Sequence, residues 1–168
     1  GVGSVGGGLA RLLAEEGARL TIADADDARL SAMARQLGAD IVEIGDILKV
    51  EADVISPCAL GAILDAKSIA ALKAPIVAGG ANNQLATRDD GQRIHERGIL
   101  FAPDYVINAG GIINVASEFI GQGDRAGVEA KIGQIPERLE QVWRESEESG
   151  DPASEVADRI AQRLIGRG

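Results

Sequence analysis

Apolar and polar positions recur along this chain with two periods. Val5, Leu9, Leu12 and Leu13 fall at i, i+4, i+7 and i+8, which is one face of a helix, and Gly17 suits its end. Arg19-Leu20-Thr21-Ile22-Ala23 is a short apolar run that reads as a buried strand. Asp27 to Leu37 predicts a helix with Leu30, Met33, Ala34 and Leu37 on one face, stopped by Gly38. Ile41-Val42 is a short strand, and Asp46 to Val50 a single helical turn. Asp53 to Ser56, Pro75 to Ala78 and Ile99 to Ala102 read as strands. Between them lie helices from Asp65 to Lys73, with Ile69 and Leu72 inward, and from Arg88 to Arg97. Strands alternating with helices imply parallel βαβ units, hence an α/β chain with an open, doubly wound, mostly parallel sheet.

The last third is helical only. Ile112 to Ile120 predicts a helix after Gly110-Gly111, and a longer one spans Arg125 to Ser149. Gly150-Asp151-Pro152 breaks it, with Asp151 and Pro152 placed to cap and start a final helix to Leu164. The acidic run Glu145, Glu147, Glu148 reads as a solvated face.

The first eight residues carry the clearest chemistry. Gly1-Val2-Gly3-Ser4-Val5-Gly6 is G-x-G-x-x-G leading directly into a helix. Such glycines allow a tight turn and let a pyrophosphate approach the backbone, while the helix start offers free N–H groups to phosphate. The next strand ends in Asp24, eighteen residues after Gly6. An acid there accepts hydrogen bonds from an adenosine ribose; the plainer alternative is a cap for the following helix. Ala25, Asp26 and Asp27 follow, so no arginine is expected directly behind Asp24, and NAD is favoured over NADP. This motif ordinarily follows a strand. With Gly1 first, the expectation is a Rossmann-type sheet without its first strand, in a fragment of a longer protein that folds poorly alone.

Composition narrows the classes. The chain has 168 residues, a formal charge of −9 and 2% aromatic residues, so it holds about one domain with an aliphatic core. The negative charge disfavours nucleic acid and anionic membranes as partners. One cysteine excludes an internal disulfide and suits a cytoplasmic setting. There is no metal-ligand cluster.

Ligands of parallel sheets bind beyond the carboxyl ends of the strands. Pro57-Cys58-Ala59-Leu60-Gly61, Gly80-Ala81-Asn82-Asn83 and Asn108-Ala109-Gly110-Gly111 fall there. Small residues admit a flat ligand, and asparagines offer donors and acceptors; one such segment would be an ordinary turn, but three suggest a lining. Cys58 has no partner base and reads as a small filler. His95, among Arg93, Glu96 and Arg97, reads as a surface residue.

The glycine motif, Ser56-Pro57-Cys58-Ala59-Leu60-Gly61, Ala81-Asn82-Asn83-Gln84-Leu85, Ala102-Pro103-Asp104-Tyr105-Val106 and Ile107-Asn108-Ala109-Gly110-Gly111 resemble, in order, the dehydrogenases of leucine, valine and phenylalanine, relatives of glutamate dehydrogenase. The resemblance covers essentially the whole chain. It implies a nucleotide-binding half, with residues 1–121 as the NAD-binding unit. Residues 122–168 would be helices packing toward an absent N-terminal substrate domain. It implies reversible oxidative deamination of an L-amino acid to a 2-oxo acid and ammonia, with hydride passing to NAD. Gly1, Val2, Gly3, Ser4, Val5 and Gly6 would hold the pyrophosphate and Asp24 the adenosine ribose. Cys58, Ala59 and Leu60 would lie under the adenosine half. Gly80, Ala81 and Asn82 would contact the nicotinamide ribose, with Asn108 near nicotinamide and substrate. The family's catalytic lysine and aspartate would lie in the other domain, so no catalytic residue is expected here and the fragment alone should be inactive. A homo-oligomer is expected of the full-length protein.

Ile112 and Val115 are three residues apart, β-branched and stiff. By resemblance they line the side-chain pocket and favour leucine or valine over phenylalanine; otherwise they pack their helix onto the sheet. The competing functions are a hydroxy-acid or shikimate-like NAD dehydrogenase, and a non-catalytic NAD-sensing module.

Overall fold

The computed structural model describes residues 1–119, 121 and 124–166. Among them five short strands form: β1 (Thr21–Ile22), β2 (Asp40–Ile41), β3 (Val54–Ile55), β4 (Ile76–Val77) and β5 (Leu100–Phe101). All pairing is parallel, as the βαβ pattern requires. The strands fall into two sheets, β1-β2 and β3-β4-β5, in registers Thr21↔Asp40, Val54↔Ile76 and Ile76↔Leu100.

Helices α1 (Ser4–Glu15), α2 (Asp27–Leu37), α3 (Ala66–Ala71) and α4 (Arg88–Glu96) connect them, with a 3-10 turn at Ile47–Lys49. Their ends follow local chemistry. Asp26 caps α2 through the Arg29 N–H, and Gly38 closes it at φ 64. Asp65 and Ser68 form a capping box on α3, as do Thr87 and Asp90 on α4. One core packs Ile55, Val77 and Phe101 of the three-stranded sheet against Ile69 of α3, Ile94 of α4, and Leu64 and Leu72. A second packs Val2 and Ile22 against Leu30, Met33 and Ala34 of α2. Phe101 is the single aromatic residue among these buried side chains, in keeping with an aliphatic core.

The face of α1 differs from the one its apolar period predicts. Val5 and Leu12 are 63% and 62% exposed, and Leu13 is also exposed. Gly6, Gly7 and Ala10 are buried instead. The small residues allow the helix to approach the Gly1 and Val2 backbone and Cys58 more closely than a leucine face would.

The C-terminal third holds α5 (Asp104–Ile107), α6 (Gly110–Phe119), α7 (Arg125–Ile132), α8 (Ile135–Ser149) and α9 (Ala153–Leu164). The single long helix expected over Arg125 to Ser149 is two. α7 ends at Gly133, and Pro136 stands in the first turn of α8, where its missing N–H removes no helical bond. The short α5 was not anticipated, and Ile120 of the predicted sixth helix lies outside the described residues. Asp151 does not cap α9 but pairs with Arg159 at 2.7 Å, while Pro152 precedes the helix. Glu145 is not simply solvated: it joins α8 to Arg163 of α9 at 2.6 Å. α8 and α9 pack through Val142, Ala153, Val156 and Ala157. They dock on the strand-bearing part: Trp143 Nε1 donates to the Phe101 carbonyl at 2.8 Å, and the Tyr105 hydroxyl donates to the Ser154 carbonyl at 2.8 Å. No helix among the described residues is long and apolar enough to cross a membrane.

Candidate cofactor-binding edge

The loops after the strands meet on one edge. α1 starts at Gly3 with no side-chain cap, so its first N–H groups are left to other partners. The backbone before it lies against the loop after β3. A Cβ on Gly1 would stand 2.6 Å from Ala59 Cβ, and one on Gly6 2.8 Å from Cys58 Cβ and nearer still to the Gly1 carbonyl. Only glycine fits this crossing. A Cβ on Gly80 would stand 2.9 Å from Val5, which brings the loop after β4 to the same place.

Asp24 closes one end of this edge. Its Oδ2 accepts the Val2 N–H at 2.7 Å, and its Oδ1 accepts the Asp26 N–H at 2.9 Å. The Asp26 N–H lowers the Asp24 pKa most; burial opposes it, and the Val2 N–H and the Arg29 guanidinium lower it further. Arg29 corrects the expectation of no compensating arginine. It lies 3.3 Å from Asp24 Oδ1 and also pairs with Asp26 at 3.1 Å. The sequence places it in the first turn of α2, where it folds back over the loop; five residues of separation hid it.

Asparagines close the other end. Asn108 Nδ2 donates to Asn82 Oδ1 at 2.6 Å and reaches the Gly80 carbonyl at 3.5 Å. Asp104, buried at the start of α5, accepts the Asn83 N–H at 2.8 Å and holds that residue at φ 52. Asp104 received no role from the sequence, although it stands inside a quoted motif; its burial is visible only in three dimensions. The Cys58 thiol faces Ser56 Oγ at 3.6 Å and the Gly80 N–H at 3.5 Å, so it is packed among polar neighbours and has no base beside it. Leu60 is exposed, and His95 is half-buried on α4.

Thus Gly1, Val2, Gly3, Ser4, Val5, Gly6, Asp24, Cys58, Ala59, Gly80, Ala81, Asn82 and Asn108 form one continuous edge. Ile112 and Val115 lie beyond it on α6, 67% and 60% exposed, so they do not pack that helix onto the sheet. Among the described residues no group of three or more His, Cys, Asp or Glu is placed to hold a metal ion. The groove lined by Glu145, Arg159, Gln162 and Arg163 is open surface between α8 and α9 and shares no lining residue with this edge.

Residues 7–164 match the family model described as Glutamate/Leucine/Phenylalanine/Valine dehydrogenase. The chain belongs to this family. It is 44% identical over 165 residues to a leucine dehydrogenase of Geobacillus stearothermophilus, covering 98% of this chain and 45% of that protein. It is 39% identical over 166 residues to an L-tryptophan dehydrogenase of Nostoc punctiforme, covering 98% of this chain and 47% of that protein. The crystal structure of the Nostoc punctiforme enzyme superposes with a TM-score of 0.94 at 38% identity, over 100% of this chain and 51% of that one. The chain therefore spans about half the length of these relatives.

Proposed function

We propose that this chain is the NAD-binding part of an L-amino-acid dehydrogenase that reversibly deaminates a branched-chain amino acid to a 2-oxo acid and ammonia. The observation that carries this reading is the convergence of the glycine loop, the Cys58–Ala59 turn and the Asn82–Asn108 pair on one edge in a member of this family. The residues fit the cofactor. The glycine crossing leaves no room for side chains at Gly1 and Gly6, and the start of α1 carries no capping side chain, so its N–H groups suit a pyrophosphate. Asp24 keeps its charge and has spare lone pairs for ribose hydroxyls beyond the bonds it already accepts. Asn82 and Asn108 offer an amide pair toward the nicotinamide end. Bound NAD supplies the hydride acceptor. The groups that move protons on the amino acid are proposed to lie in the remainder of a longer protein, as is the contact surface of a homo-oligomer.

The gap between β1-β2 and β3-β4-β5 supports a doubly wound sheet in which a further strand lies between the two halves. The exposed side chains of Ile112 and Val115 support a place in the amino-acid pocket, where β-branched residues limit its size. Titrating the full-length protein with NADH and assaying it with leucine, valine, phenylalanine and tryptophan tests the reading. NADH binding with turnover of leucine or valine is expected. No binding of NADH, or binding without turnover of any amino acid, overturns it.

A further inference from the structure

Gln84 follows the Gly80–Asn83 loop and is wholly buried, at 0% exposure. Its Nε2 donates to the Gly79 carbonyl at 2.6 Å and to the Ala81 carbonyl at 3.0 Å. Its Oε1 has no hydrogen-bond partner among the described residues. A buried amide with one half unmatched is a poor choice for stability. Methionine would fill a similar volume without the orphaned Oε1, but would leave the Gly79 and Ala81 carbonyls without a donor. What the amide alone provides is one nitrogen with two donors, aimed at two carbonyls on either side of Gly80.

Those carbonyls are fixed by nothing else among the described residues. The loop's other hydrogen bonds run through other groups: the Ala81 N–H on the Pro57 carbonyl at 2.8 Å, the Ala62 N–H on the Asn83 carbonyl at 2.6 Å, the Asn83 N–H on Asp104, the Gly80 N–H on Cys58 Sγ at 3.5 Å, and Asn108 Nδ2 on the Gly80 carbonyl at 3.5 Å. Gln84 thus holds the Gly79–Gly80 and Ala81–Asn82 peptide planes through their carbonyls. From these follow the direction of the Gly80 N–H toward Cys58 and the reach of Asn82 toward Asn108. Departures from good local chemistry concentrate where a site must be held.

We infer that Gln84 is a positioning residue: by clamping the Gly79 and Ala81 carbonyls it shapes Gly80–Asn82 to grip the nicotinamide-ribose half of the cofactor, without touching the cofactor. This inference rests on the reading of the edge as an NAD site. It separates the two ends of that edge, because Asp24 and the glycine loop do not depend on Gln84.

The test compares NADH with ADP, which lacks both the nicotinamide and its ribose, by calorimetry on the full-length protein carrying Gln84→Met. NADH affinity should fall about 10- to 100-fold, the scale of a small misplacement of a binding group. ADP affinity should stay within about twofold, since the adenosine and pyrophosphate contacts are intact. Should Gln84→Met fail to fold, as judged by its melt, Gln84→Asn serves the same comparison; it keeps the amide but falls one methylene short. NADH binding unchanged, or NADH and ADP weakened together, overturns the inference while leaving the cofactor reading intact. If the unmodified protein binds neither ligand, the cofactor reading itself fails.

Discussion

On the proposed reading, cofactor choice turns on Asp24. Its carboxylate would face the 2′-phosphate of NADP, and two such charges in a partly dry site repel by on the order of a few kcal/mol. Arg29 offsets part of this, yet it is shared with Asp26, so the pair of acids still outweighs it. NAD should therefore bind more tightly than NADP in the full-length protein. Asp24→Ala should narrow the difference about tenfold or more, and Arg29→Ala should widen it; equal affinities in the unmodified protein would sink the assignment. The same carboxylate has a signature in stability. Its folded pKa lies below the ordinary 3.8, so its contribution is complete above that value and is lost as the pH falls through the folded pKa. Denaturant melts from pH 6 downward should show Asp24→Asn less stable near neutrality, with the gap closing in acid. At the substrate end, Ile112→Ala should raise turnover of phenylalanine relative to leucine, by the 10- to 200-fold that about 1–3 kcal/mol of pocket fit allows. An unchanged ratio in paired assays would remove Ile112 from the pocket.

Among the elements, α1 shows how a close backbone crossing can override an amphipathic pattern. Leu12 and Leu13 are exposed because the glycine face is needed where the helix crosses Gly1 and Cys58. Gly6→Ala should then be far worse than a normal glycine-to-alanine change in a helix, which is favourable by roughly 1 kcal/mol. The added Cβ meets Cys58 and the Gly1 carbonyl, and overpacking of this kind destabilises by about 1–3 kcal/mol. Melting curves and NADH titration should show both stability and affinity reduced. Gly8→Ala is the control, for no atom lies within 4 Å of a Cβ there.

For the whole molecule, the division of the strands into two sheets is the main structural fact. Among the described residues no pairing joins β1 to β3, and the unpaired sides of these strands leave backbone donors and acceptors without ladder partners. The exposed face of α1 adds Val5, Leu12 and Leu13 to the surface. The 168-residue chain expressed alone should accordingly melt broadly or aggregate and should not deaminate leucine. The same residues within a full-length protein should melt cooperatively. Cooperative melting together with turnover by the isolated chain would refute this.

Local chemistry was written in the sequence. Gly38 at a helix end and the parallel strands were legible because caps and periods depend on neighbours a few residues apart, while the Asp65–Ser68 and Thr87–Asp90 boxes emerged with the structure. The candidate edge was legible as loop motifs, since small residues and asparagines after strands mark where a flat ligand can come close. The break between α7 and α8 was also present, in Gly133 and Pro136. What the sequence withheld depended on packing between distant segments. An apolar stripe shows that a helix has a greasy face, but glycines with no side chain to register can still be the face that is buried, as α1 shows. Arg29 returns to Asp24, Asp104 holds Asn83, and Gln84 clamps the two carbonyls beside Gly80. Polar side chains look alike along a chain whether solvated or buried, and only the tertiary structure decides which ones lose their water and must find partners.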